Sequence, residues 1–140
     1  MFDLKKISFK KPLFDKIVGA QQGELDAVLL YETLADVVRS SNEELAKTFE
    51  HVAKQENSHA KVCQKITGKT DMKANPLKAN FLSLTYKVSP FAAFKMLSIG
   101  EYKAAKDYAP VVLDYPTIEP VMKDEIRHGK IMDECIKKYC

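Results

Sequence analysis

Two Glu-x-x-His pairs interrupt apolar stripes that otherwise keep a helical period, and no other feature limits the fold of this chain more. The first stripe reads Leu45, Phe49 and Val52, then Glu56 and His59, then Cys63 and Ile66. The second reads Ile118 and Val121, then Glu125 and His128, then Met132 and Cys135. Positions three and four apart share one helix face. Each pair is therefore aimed where its apolar neighbours are aimed, into a core. Two further stripes carry a lone glutamate: Ile17, Glu24, Val28, Tyr31, Ala35, Val38, and Phe94, Leu97, Glu101, Ala104, Tyr108.

The punctuation between the stripes predicts four long helices. The first runs from about Leu13 to Arg39 and is broken by Ser40, Ser41 and Asn42. Ser41 and Glu44 have the spacing of a capping box for the second, which runs to about Ile66 and is closed by Thr67-Gly68. Residues 69 to 88 form a long connection with a short helix after Pro76. Ser89 caps and Pro90 opens the third long helix, which ends near Tyr108. The fourth runs from about Thr117 to Lys138. No stretch alternates with the period of a strand. Two tight helical hairpins joined by one long crossover make an all-α, ferritin-like four-helix bundle. At 140 residues, one domain over residues 1–140 with one core is expected.

Four buried carboxylates repel one another and are costly to desolvate. The stripes supply no set of four arginines or lysines to answer them. Two divalent cations would balance four carboxylates, and the i, i+3 spacing lets a carboxylate and an imidazole point at one ion. A glutamate from each of two helices plus Glu-x-x-His from each of the other two is a di-iron carboxylate arrangement. The candidate metal ligands are thus Glu24, Glu56, His59, Glu101, Glu125 and His128. With ten glutamates in 140 residues, a given histidine follows one at this spacing about 7% of the time. Two of the three histidines do so here, each on an apolar seam.

Depth separates two candidates on the first helix. At 1.5 Å per residue, Glu56 lies about 22 Å past the Ser40–Ser41 break, Glu24 about 24 Å before it, and Glu32 only about 12 Å. Glu24 matches, and Glu32 reads as a second polar position or a flank. The halves also echo each other. Gly23-Glu24-x-x-Ala27-x-x-x-Tyr31 matches Gly100-Glu101-x-x-Ala104-x-x-x-Tyr108, and Glu56-x-x-His59-Ala60-Lys61 matches Glu125-x-x-His128-Gly129-Lys130. Tyr31 and Tyr108 are either hydroxyl donors to a ligand carboxylate or ordinary core tyrosines. His51 falls off the seam. Cys63 and Cys135 read as small buried apolar residues.

Composition excludes other classes. Net charge is +3, from 22 basic and 19 acidic residues, with no block of five like charges, so no nucleic-acid partner is expected. No apolar run approaches the ~18 residues of a membrane span. The start, MFDLKKISFKKPLF, has no uninterrupted apolar stretch and does not read as a secretory signal. Its lysines, among them Lys5, Lys6, Lys10 and Lys11, read as a solvated face. Cys63, Cys135 and Cys140 form no C-x-x-C pair, and a cytoplasmic location is expected.

From about Gly19 to Tyr139 the chain resembles the rubrerythrin branch of the ferritin-like superfamily. The likeness rests on G-E-x-x-A-x-x-x-Y at 23–31, Q-E-x-x-H-A-K at 55–61, G-E at 100–101 and E-x-x-H at 125–128. It implies two iron ions held by the six residues above, reduction of hydrogen peroxide or dioxygen in oxidative-stress defence, and a homodimer. Glu56 and Glu125 would bridge, with Glu24 and Glu101 terminal and one histidine per iron. Manganese or zinc also suits such a donor set. The chain departs from the family pattern twice. It lacks the C-x-x-C pairs of a rubredoxin domain, so electrons would come from a separate protein such as a rubredoxin. It also has Ala104 where rubrerythrins carry a further glutamate, which brings the set closer to ferroxidase sites and keeps a ferroxidase or iron-storage reading open. A hydroxylase would need a membrane anchor, which the sequence does not display.

Overall fold

The structure, a computed structural model, describes the backbone of residues 4–140 and the side chains from residue 11 onward. The described residues form five α-helices and one 3-10 turn, joined by short connections: α1 Leu4–Val38, α2 Glu43–Thr67, α3 Leu77–Val88, α4 Pro90–Tyr108, the turn Ala109–Val111, and α5 Ile118–Tyr139. α1 packs on α2 and α4 on α5 as two hairpins, and α3 lies against α1 and α4 within the crossover. The result is the all-α ferritin-like bundle that the stripes predict.

Boundaries follow local chemistry. Gly68 closes α2 in the left-handed conformation, φ 72°, and its N–H bonds the Gln64 carbonyl. Ser89 Oγ accepts from the Ala92 N–H at 3.2 Å, with Pro90 at the first helical position. Two expectations are corrected. α1 begins at Leu4 rather than near Leu13, with Pro12 inside it; proline removes one backbone donor, and the helix continues upstream of that loss. The N-cap of α2 is Asn42, whose Oδ1 accepts from the Leu45 N–H at 3.0 Å. Ser41 instead donates to the Val38 carbonyl. Asparagine is as good a cap as serine, and Glu44, freed from the capping box, takes Lys138 and Tyr139 of α5. The expectation for Lys5, Lys6 and Lys10 lies outside the described side chains; Lys11 is exposed.

The crossover is tied down by α1. Gln21 donates to the Lys69 carbonyl at 2.8 Å, and Asp26 accepts from the Asn75 N–H at 2.7 Å. The core splits into two apolar layers. One contains Leu34, Phe49, Phe94 and Met132, with Phe49 packed 6.0 Å from the Tyr31 ring and 6.1 Å from Phe94. The other contains Ile17, Cys63, Val111, Ile118 and Val121. No helix among the described residues is long and apolar enough to cross a membrane.

Candidate metal centre

Between the two apolar layers lies a polar one. The stripe of α2 is phased as its sequence requires: Leu45, Phe49, Val52, Glu56, His59 and Cys63 are all buried. In α5, Ile118, Val121, Glu125, His128, Met132 and Cys135 are buried in the same rhythm. α1 contributes Glu24 and α4 contributes Glu101, both buried. All six sequence-predicted residues therefore meet at one level of the bundle. Glu32 and His51 are exposed and stand apart.

The six side chains fall into two groups of four. Donor atoms of Glu24, Glu56, His59 and Glu125 lie within 4.8 Å of one another, as do those of Glu56, Glu101, Glu125 and His128. Glu56 and Glu125 belong to both groups. His59 Nδ1 stands 2.8 Å from Glu125 Oε1 and 3.4 Å from Glu24 Oε2. His128 Nδ1 stands 3.0 Å from Glu56 Oε1 and 3.4 Å from Glu101 Oε2. The two imidazole rings are 5.8 Å apart.

The remaining atoms of these side chains are held by neighbours. Tyr31 of α1 donates to Glu101 Oε1 at 2.6 Å, and Tyr108 of α4 donates to Glu24 Oε1 at 2.7 Å. Both tyrosines are thus hydroxyl partners of the carboxylates as well as core rings. His59 Nε2 faces Asp124 Oδ2 at 2.8 Å, and His128 Nε2 faces Gln55 Oε1 at 2.6 Å. Both partners are acceptor oxygens, so the tautomer that fits places the ring proton on Nε2 and leaves Nδ1 to act as a donor to a metal. Asp124 is itself paired with Arg127. Sequence reasoning named Gln55 only as a motif position and gave neither it nor Asp124 a role. The signal was present, because each stands one residue before the glutamate of a Glu-x-x-His pair, at equivalent places in the echo.

One polar atom from each of the six has no hydrogen-bond partner although it is buried: Oε2 of Glu24 and Glu101, Oε1 of Glu56 and Glu125, and Nδ1 of His59 and His128. Orphaned buried polar atoms are rare and costly. Six converging on one place fit a metal-binding cavity, with oxygen and nitrogen donors suited to iron, manganese or zinc. The electrostatics without metal are those of crowded carboxylates. Burial and the nearby Glu24 charge push Glu56 up to about 8, and burial pushes Glu125 up to about 11. Burial acts to lower His59, but the close carboxylates of Glu125, Glu24 and Glu56 prevail and push it up to about 12. Burial alone would raise Glu101; His128, Glu125 and Tyr31 outweigh it and hold the carboxyl below its ordinary range. Burial also raises Tyr31 and Tyr108, so both hydroxyls keep their protons and remain donors.

A groove of about 780 Å³ runs between α1 and α4 and reaches Glu24, Glu56, Glu101 and Glu125 from one side. Ala104 lines it. Neither the curated proteins nor the solved structures contain a match to the chain. A family model described as Rubrerythrin matches residues 16–136, a span that holds all six side chains, both tyrosines, Gln55 and Asp124. The chain belongs to the rubrerythrin family.

Proposed function

We propose that the chain is a non-haem di-iron oxidoreductase that reduces hydrogen peroxide, with dioxygen as the slower oxidant. The observation that carries this reading is the convergence of six buried, unpartnered donor atoms, one from each of Glu24, Glu56, His59, Glu101, Glu125 and His128. Glu24 and His59 would hold one ion, Glu101 and His128 the other, and Glu56 and Glu125 both. Two iron ions bound there would supply the two electrons that break a peroxide O–O bond.

The chain's own residues do the rest. Tyr31 and Tyr108 fix the orientation of Glu101 and Glu24 through the hydroxyl bonds. Asp124 and Gln55 hold the two imidazoles with Nδ1 turned inward, which sets ring orientation and donor strength. The apolar layers above and below keep bulk water from the polar level, and the groove between α1 and α4 leaves it one open flank. Electrons would arrive from a separate one-electron carrier such as a rubredoxin, and the chain would act as a homodimer.

Anaerobic loading with ferrous iron, followed by one equivalent of hydrogen peroxide or dioxygen, tests this reading. Two irons per chain and faster oxidation by peroxide are expected. Faster oxidation by dioxygen with iron uptake beyond two per chain would replace it with the ferroxidase or storage function to which Ala104 points. No stoichiometric metal would overturn both.

A further inference from the structure

The groove between α1 and α4 is far larger than the proposed oxidant needs. Its volume is about 780 Å³, whereas a water-sized molecule occupies ~30 Å³. Clefts of ~300–1,000 Å³ with mainly apolar walls and a few polar groups are the size of organic-ligand sites.

Its walls are cut low on purpose-built helices. Gly19 and Gly23 of α1 and Gly100 of α4 line it. Glycine in a helix interior is destabilising relative to alanine, so a tight contact would ordinarily explain it. None is present: a Cβ added at any of the three meets nothing within 4 Å. Gly129 shows the contrast, because a Cβ there would lie 2.7 Å from the Tyr102 ring. Ala27 and Ala104 continue the small lining. Leu30, Leu82 and Leu97 make one end apolar, and Phe81 and Met96, both half-exposed, extend it to the surface. From Lys16 to Leu30 the groove follows α1 for roughly 21 Å.

Polar groups sit in two places only. The floor is formed by the buried residues of the candidate metal centre, Glu24, Glu56, Glu101 and Glu125, with Tyr31 and Tyr108. The rim carries Lys16, Lys78 and Lys103 against a single acid, Asp107, which Lys103 engages at 2.8 Å. A basic rim, a long apolar trough and a polar floor complement a single-chain molecule with an anionic head.

We infer that the groove binds a fatty-acid hydroperoxide, its carboxylate at the lysine rim, its alkyl chain along the glycine–alanine lining and its hydroperoxide at the glutamate floor. The inference rests on the peroxide-reducing reading above and names its substrate class. The reaction balances as ROOH + 2 e⁻ + 2 H⁺ → ROH + H₂O. The O–O bond breaks, the hydroperoxide is reduced to the alcohol, and a reduced one-electron carrier protein is oxidised twice.

Calorimetric titration of dodecanoate, an unreactive carboxylate of the same class, into zinc-loaded protein reads binding without turnover. One dodecanoate per chain is expected. The double variant Gly19→Leu, Ala104→Leu fills open space and should weaken binding about tenfold or more, with zinc still at two per chain. Lys78→Glu should weaken dodecanoate about threefold and leave dodecanol unchanged. Ferrous-loaded protein should convert linoleic acid hydroperoxide to the alcohol. Oxidation by hydrogen peroxide without dodecanoate binding would overturn this inference and spare the peroxide reading. Dodecanoate binding with no reaction toward either peroxide would overturn both the reading and the substrate assignment. A dimer that Gly19→Trp converts to monomer, with no dodecanoate bound, would show a second copy of the chain to be the occupant and overturn the inference too.

Discussion

Tyr31 on α1 donates its hydroxyl to Glu101 on α4 across 2.6 Å, the link by which one hairpin holds a carboxylate of the other. Removing only that oxygen tests its role. Tyr31→Phe keeps the ring against Phe49 and leaves Glu101 Oε1 without its donor. Metal affinity should fall about tenfold or more, measured by competition with a chelating dye. Stability should fall by about 1–3 kcal/mol, because a buried acceptor loses its partner. Tyr108→Phe should do the same through Glu24. Unchanged metal affinity in both variants would reduce the tyrosines to core rings.

The shared donors give a stoichiometric prediction. His59 belongs to one group of four and His128 to the other. His59→Ala should bring bound metal from two ions per chain toward one, and so should His128→Ala. Glu56→Ala should disturb both positions, since Glu56 belongs to both groups. Elemental analysis after dialysis checks each variant. Loss of both ions from a single histidine variant would mean that the two positions are not separable.

Proton binding should make the metal-free chain less stable as pH rises. Glu56 is pushed up to about 8, Glu125 to about 11 and His59 to about 12. Each binds its proton more tightly folded than unfolded. Their stabilisation is therefore complete below the unfolded values and is lost as pH rises through the folded ones. Glu56 places the first loss between about pH 4.5 and 8, with a limit of about 1.4 kcal/mol per proton per pH unit. The melting temperature of metal-free protein should fall by several degrees from pH 5.5 to 8.5. Zinc should reverse that slope, because metal binding displaces these protons and strengthens with pH. A metal-free melting temperature that climbs over this range would contradict the crowded-carboxylate account.

The three cysteines should differ sharply in reactivity. Burial pushes Cys63 and Cys135 up to about 11, and Cys140 is exposed. The thiolate is the reactive form. At pH 8 a disulfide reagent should titrate one thiol per native chain quickly and three after unfolding. Rapid reaction of two or more in the native state would show that α2 or α5 opens readily.

Phe49 should carry a large share of the apolar layer it forms with Leu34, Phe94 and Met132. It is fully buried between the rings of Tyr31 and Phe94. Phe49→Ala should cost about 3–5 kcal/mol, read from urea denaturation. A cost under ~1 kcal/mol would mean that the layer collapses around the cavity.

The polar level was legible in the sequence because period and chemistry disagreed there. Glu56 and His59 fall on positions that Phe49, Val52 and Cys63 mark as buried, and an error of one residue would have moved the whole stripe. The tyrosines were half legible: the echo set their offset, but two readings survived until Glu101 and Glu24 were seen across the bundle. Gln55 and Asp124 were given no role because their contacts cross between α2 and α5, and one-dimensional spacing does not report which helix faces which. The start of α1 was misplaced because proline is a weak stop close to a helix end. The groove had no linear signature at all. Gly23 and Gly100 stood out only as matching positions of the echo, and Gly19 not at all, until the space beside them was visible.

Each four-donor group draws one member from the other hairpin: Glu125 joins Glu24, Glu56 and His59, while Glu56 joins Glu101, Glu125 and His128. The supporting contacts cross the same divide. A first hairpin emerging from the ribosome therefore presents no finished position, and its histidine waits for Asp124. Closure around an ion is thereby tied to the synthesis of α5, since neither four-donor group is whole until Glu125 is in place.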